Sequence, residues 1–372
     1  MKLLTQRAFV RALAVVAFSS CVAAGLGASS PPAPAPQGSF QGQWLVEYRD
    51  DEGKGERTYL TLRYREERAG KGGGTHFSNW DTTRPVEPSQ LQGLTREQIF
   101  SAAGVNARFR IRRDAGTFEC EGWFRGGRGS GHFTFAPDAQ FAAELQRRGV
   151  GTPDARQLLR LALNDAGLAL LDELRAQGYE RPDVEGFVRL GDHGVSLEYV
   201  RGLKGLGYQL GSLEALRRMR DHGVSLDFIR ELRDHGFRDL TAEELVRTRD
   251  HGVSVSFIRE LEAAGYTAPT TLEGLIRLRD HGVSASFIRG LRAEGYTTLP
   301  LEALVRLKDH GVSVSFIREL KTLGYANLPA EHLVRLRDHG VNAAFIRRVK
   351  AQRSDTPSVE ELIRLRNRGE FE

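Results

Sequence analysis

An Asp-His-Gly triplet begins at Asp192, Asp221, Asp250, Asp280, Asp309 and Asp338, with spacings of 29, 29, 30, 29 and 29 residues. So regular a period leaves few architectures open: each unit is one supersecondary element that buries its apolar face only by stacking on its neighbours. Asn367 stands 29 residues after Asp338 as the first half of a final unit, and Asp165 marks a degenerate first one.

The unit from Leu301 shows what is repeated. In LEALVRLKDHG, residues Leu301, Leu304, Val305 and Leu307 fall near one face of a helix that Gly311 ends. In VSVSFIRELKTLGY, Ser313 stands where an N-cap belongs, Phe316, Ile317, Leu320 and Leu323 form a second apolar stripe, and Gly324 ends the second helix. Glycine followed by an apolar residue predicts Schellman endings for both helices.

The triplet admits two readings. Imidazole beside carboxylate is a common catalytic or metal-ligating pair. Alternatively glycine stops the helix, histidine suits the C-terminal dipole, and aspartate answers the arginine three residues earlier. The second reading is preferred. Asp234-His235-Gly236 recurs out of phase at the end of a second helix, and the final unit keeps only the glycine, as Asn367-Arg368-Gly369. Packed helices also stand roughly 8–10 Å apart, too far for successive histidines to share one small ion.

Arginines form further ladders. Arg201, Arg230, Arg259, Arg289, Arg318 and Arg347 follow the Phe-Ile or Tyr-Val pair, and Arg189, Arg218, Arg247, Arg277, Arg306 and Arg335 precede each aspartate by three. The first stripe is a candidate surface for an acidic protein partner, an anionic polymer or lipid headgroups. The preferred reading is a solvated face neutralised by Asp250, Glu260, Glu319 and their equivalents, because residues 181–372 carry a net charge of only about +2. That balance argues against a nucleic-acid partner.

Before the array the periodicity is that of strands. WLVEY and TYLTLRYRE come first; VNARFRIRR, TFECEGWF and RGSGHFTF then form a meander with expected turns at Ala115-Gly116 and Gly126-Gly127. This pairing sets Ile111 beside Cys120 beside Phe133, and Phe109 beside Gly122 beside Gly131, on an apolar face. The other face sets Arg112, Arg110 and Arg108 opposite Glu119, Glu121 and Trp123, and His132 beside Glu121. Gly122, Gly129 and Gly131 would leave a shallow space beside Cys120, filled by packing or open to a small ligand. GKGGGTHF and TTRPVEPSQLQGLTREQIF read as irregular chain, with a capping box from Thr95 to Gln98.

The chain opens MKLLTQRAFVRALAVVAFSSCVAAGLGASS, basic residues ahead of an apolar run that ends in small ones, the layout of a secretory signal. Cleavage near Ala28 is expected. Lipidation at Cys21 within FSSC is the alternative and an uncleaved anchor a third, so the membrane is reached only through this region. The expected organisation is a signal peptide over 1–28, a Pro/Ala-rich tether over 29–38, an antiparallel β-rich domain over 39–136, a connecting helix over 137–153 and a helical repeat array over 154–372. The fold class is α+β, a small antiparallel domain followed by an α-solenoid of helical hairpins.

No motif for zinc hydrolysis, nucleophilic serine chemistry or phosphate cradling occurs, and no cofactor is expected. His76 stands alone, and Cys120, His132 and Glu121 are the only catalytic candidates in the β-rich part. The repeat LxxLxRLRDHGVSxxFIRELxxxGY resembles tandem helical repeats of exported bacterial proteins, and is similar to those that follow the membrane domain in some metallopeptidases of the beta-lactam-sensor type. The resemblance covers roughly 155–372, and RGSGHFTFAPDAQF resembles the partner domain that precedes such repeats. It implies an envelope module for binding or sensing, either a scaffold or a regulatory partner of a membrane peptidase or signalling protein. The peptidase half is absent, so no proteolysis and no functional residues are implied. Within the unit the pairs Leu197-Glu198, Leu226-Asp227, Val255-Ser256, Ala285-Ser286 and Val314-Ser315 vary most and are expected to be exposed.

Overall fold

A computed structural model of the chain describes residues 40–51, 55–69, 75–266 and 271–371. The expected signal peptide, the tether, Cys21 and the glycine run at 70–74 lie outside the described residues, and so does the side chain of His76.

Six strands form one antiparallel sheet: β1 (Phe40–Asp51), β2 (Gly55–Ala69), β3 (Thr75–Val86), β4 (Val105–Arg113), β5 (Gly116–Arg125) and β6 (Arg128–Pro137), in the order β3-β2-β1-β6-β5-β4. Side chains alternate across it, so Trp44, Val46, Leu60, Leu62, Phe109, Ile111, Phe118, Cys120, Phe133 and Phe135 are buried on one face. That face is covered by the helix α1 (Arg96–Phe100), which Thr95 and Gln98 cap as expected, and by the first helix of the array.

The hairpin between β5 and β6 has the expected register, with Cys120 opposite Phe133 and Gly122 opposite Gly131. Gly126 and Gly127 both take positive φ, as a two-residue type I′ turn requires. The hairpin between β4 and β5 is displaced by two residues from expectation. Phe109 faces Cys120, Ile111 faces Phe118, and the turn is Asp114-Ala115 rather than Ala115-Gly116. Gly116 is needed for a different reason: a Cβ there would lie 2.4 Å from the carbonyl oxygen of Ala136. A shift of two keeps every side chain on its face, which is why the faces came out right although the partners did not. Arg108 consequently pairs with Glu121 and Arg110 with Glu119, not with Trp123 and Glu121.

The strand β3 corrects a second expectation, since residues 82–86 read as irregular. Pro85 belongs to it, and an edge strand tolerates a proline because one row of its N–H groups has no neighbour to bond.

The rest is helical. α2 (Ala139–Arg147) leads into α3 (Ala155–Leu163) and α4 (Leu168–Ala176), and the pattern continues from α5 (Val184–Asp192) to α17 (Val359–Asn367), every helix from α2 onward being nine residues long. First helices of successive units contact one another, as do second helices, giving the two layers of a solenoid-like array. Each second helix from Ser196 onward starts on a Ser or Asn side chain that accepts from the N3 amide. The expected Schellman bonds are present: Gly311 N–H donates to Lys308 and Val312 N–H to Leu307, with Gly311 at φ +67°. In the first unit Asp165 adopts this left-handed position, with φ 54°. It therefore stands in for the glycine and not, as expected, for the triplet's aspartate.

Candidate functional site

The histidines of the triplet bond across the repeat. Each Nδ1 meets the aspartate of the next unit: His251 with Asp280 at 2.7 Å, His281 with Asp309 at 2.7 Å, His310 with Asp338 at 2.6 Å, and likewise His193 with Asp221 and His222 with Asp250. Both ends of the ladder are amides. Asn164 Nδ2 donates to Asp192 at 2.7 Å, and His339 meets Asn367 Oδ1 at 3.0 Å. The triplet's side chains are thus bonded between units rather than within one.

The arginine before each aspartate also reaches forward. Arg218 pairs with Glu243 at 2.9 Å, Arg247 with Glu273 at 2.8 Å, Arg277 with Glu302 at 2.7 Å and Arg306 with Glu331 at 2.8 Å, each glutamate lying in the first turn of the next first helix. The expected pairing of this arginine with the aspartate three residues later is therefore replaced by one about a repeat away. A third ladder sets Arg249 over Phe228, Arg279 over Phe257, Lys308 over Phe287 and Arg337 over Phe316, at 4.9–5.2 Å from the ring centre.

Magnitudes separate the roles of these contacts. Each buried Leu, Ile or Phe contributes about 1.5–3 kcal/mol, whereas an exposed ion pair contributes about 0–1 kcal/mol. In one unit Leu304, Val305, Leu307, Val312, Phe316, Ile317 and Leu320 are all buried. Packing holds the array together, and the ladders set how one unit is placed on the next.

The candidate stripe lies on the exposed face of the second helices. Arg201 pairs with Glu173 at 2.7 Å, Arg230 with Asp227 at 2.9 Å, Arg259 with Glu231 at 3.8 Å and Arg318 with Glu294 at 2.6 Å. Arg289 and Arg347 are exposed with no carboxylate partner among the described residues. Bonding by Arg318 holds Glu294 below the usual carboxylate range, and bonding by Gln177 and then Arg201 does the same for Glu173. The variable pairs divide: Val255 and Ala285 are buried and Leu197, Leu226 and Val314 half-buried, while Glu198, Asp227, Ser256, Ser286 and Ser315 are exposed, so only the second member of each is fully exposed. Where the preceding second helix carries glycine, the first member fills its place; a Cβ at Gly202 would lie 2.2 Å from Leu226 and one at Gly290 2.6 Å from Val314.

In the sheet, Cys120 is buried and its thiol pKa is pushed up by burial, with Glu119 adding to the shift. His132 and Glu121 are neighbours as expected but lie on the opposite, exposed face. The three cannot converge on one substrate atom. The space expected beside the glycines is also filled. A Cβ on Gly122 would lie 2.6 Å from the Trp44 ring and one on Gly129 2.5 Å from Phe124, while Trp44 Nε1 donates to the carbonyls of Glu121 and His132.

One cluster escaped the sequence reading. Arg84 donates to Asn164 at 3.2 Å, Arg113 lies 3.3 Å from Asp165, and Arg160 pairs with Asp192 beneath the ring of Trp80. Burial lowers the Arg84 pKa, and Arg113 and Arg220 lower it further against the pull of Asp165. Asp114 in the turn after β4 accepts from Leu168 N–H and so caps α4, whose own N-cap is Gly167. These contacts fasten the sheet to the first unit. Their sequence signal was weak because Arg84 and Trp80 belong to the unrecognised strand β3.

No group of three or more His, Cys, Asp or Glu suited to a metal ion occurs among the described residues. Comparison of the chain with known protein families and with curated proteins gives no match.

Proposed function

We propose that the chain is an exported, non-catalytic binding or scaffold module of the bacterial envelope that holds a protein partner against the exposed face of its second helices. One observation carries this reading: the histidines and carboxylates that could do chemistry are bonded between successive units, His251 to Asp280 being representative. The ladders hold the spacing of the units, while the exposed residue that opens each second helix changes along the array from Glu198 and Asp227 to Ser256, Ser286 and Ser315. A constant spacing with a changing face suits an extended partner. Export is supported by the layout of residues 1–28.

The test places a photo-crosslinking residue at Ser286 of the full chain, and separately at Glu302 on the first-helix face, in envelope extract of the source bacterium. A discrete protein adduct from Ser286 alone is expected. Equal adducts from both positions, or none, would contradict the reading. Recovery of a membrane peptidase or signalling protein would make the module its regulatory partner, and salt-sensitive recovery of an anionic polymer would replace the protein partner.

A further inference from the structure

The exposed face of the sheet carries a feature that the repeats do not share. Among the described residues only Leu45 and Trp123 are large hydrophobic side chains in the exposed class, at 39% and 49% accessibility, and both lie on this face. The register puts them on either side of one small residue, since Ser130 of β6 pairs with Leu45 of β1 and with Trp123 of β5. Two strand spacings separate the walls by about 9–10 Å. A depression of about 520 Å³ lies over Ser130, lined also by Gln43, Thr61, Arg63, Glu121 and His132.

The charge of this depression restricts its ligand. Arg63 is paired with Asp81 at 2.9 Å and Arg108 with Glu121 at 3.1 Å, so each of these guanidiniums is matched by a carboxylate and the two pairs add no net charge. The remaining polar groups are hydrogen-bond donors and acceptors: the Gln43 amide, the Thr61 and Ser130 hydroxyls and the His132 imidazole. Thr61 is already bonded to Thr83 at 2.8 Å, which fixes it on the rim. A peptide strand gains nothing here, because β6 is paired on both sides, with β1 and with β5, so the trench lies away from the sheet edges at β3 and β4. What remains is a molecule with a flat apolar face to lie on an indole and many uncharged hydroxyls around its perimeter.

We propose that the trench between Leu45 and Trp123 is a binding site for a neutral hexopyranose chain. The C–H face of one sugar ring stacks on Trp123, and hydroxyls bond Ser130, Gln43 and His132. The trench lies on the sheet rather than the array, so this proposal stands or falls independently of the protein partner proposed above.

The experiment is calorimetric titration of the full chain with neutral tetrasaccharides of glucose, mannose, galactose and N-acetylglucosamine, in low and moderate salt. At least one is expected to bind in the micromolar to millimolar range without salt dependence. Trp123→Ala should weaken that binding at least tenfold, and Trp123→Phe less. Ser130→Leu should abolish it by filling the floor. Thermal unfolding monitors the fold of each variant, and Gln352→Ala, at an exposed position after α16 (Ala343–Ala351), should leave binding unchanged. Failure of all four sugars to bind the native chain would overturn the proposal. So would binding that survives both Trp123→Ala and Ser130→Leu, or that falls steeply with salt.

Discussion

Nδ1 of His251 lies 2.7 Å from Oδ1 of Asp280 in the next unit, and the same contact recurs along the array until it ends on Asn367. Both side chains are more than a third exposed, so one rung contributes no more than about 1 kcal/mol. The amides at the two ends show that a charge is not needed to form it. Asp280→Asn is therefore expected to leave the urea midpoint nearly unchanged. Asp280→Leu should cost up to about 1 kcal/mol and speed amide exchange in the last turns of the two helices it joined. A loss above that range on Asp280→Asn would mean that the ladder carries more of the stability than packing does.

Glycine at a helix end and glycine within a helix should respond in opposite directions. Gly311 sits at φ +67°, where a side chain costs about 1–2 kcal/mol, and Gly311→Ala should destabilise by that amount. Gly205 is the last residue of α6 (Leu197–Gly205), with no atom within 4 Å of a Cβ built on it. Gly205→Ala should stabilise by about 0.5–1 kcal/mol, because alanine loses less backbone entropy on folding. Chemical denaturation of the two variants reads both signs.

The tyrosines that follow the second helices are not equivalent. Tyr325 Oη donates to the buried carbonyl of Pro357 at 2.8 Å, whereas the buried hydroxyl of Tyr266 finds no partner among the described residues. Tyr325→Phe should cost about 1–3 kcal/mol by leaving that carbonyl unsatisfied. Tyr266→Phe should be neutral or stabilising. Thermal melting of the pair checks the contrast.

The helical hairpins were legible because glycine, serine and the apolar stripe each mark the same boundaries, as at Gly311, Ser313 and Phe316. The direction of the ladders was not. Arg306 has Asp309 three residues away and Glu331 in the next unit, and local spacing favours the first while stacking brings the second within 2.8 Å. In the sheet, alternation fixed the faces but not the register of Phe109 against Cys120, because a slip of two leaves alternation intact. β3 was hidden by Pro85, whose tolerance depends on an edge position that only the assembled sheet reveals.

Acid should weaken the array through particular carboxylates. Glu294, bonded by Arg318, and Glu173, bonded by Gln177 and Arg201, are held below the ordinary value of 4.5 in the folded chain. A carboxylate depressed on folding adds stability that is complete above its unfolded value and is lost as pH falls through its folded one. The melting temperature should therefore fall below about pH 4.5. Glu294→Gln should lower it at neutral pH and make its decline in acid shallower; an unchanged slope would show that this ion pair is not coupled to folding.

Cys120 tests the inner face of the sheet. It is buried opposite Phe109 and Phe133, and burial raises its thiol pKa, so almost no thiolate exists at neutral pH. Iodoacetamide should leave the native chain unmodified at pH 8 over hours and modify the urea-unfolded chain within minutes. Cys120→Ser should cost about 1–3 kcal/mol, because a hydroxyl needs a stronger partner than the thiol, whose nearest acceptor is the Phe118 carbonyl at 4.0 Å. Cys120→Ala loses packing alone. Rapid alkylation of the folded protein would mean that the sheet opens on its apolar side, and the reading of that face as closed core would have to be abandoned.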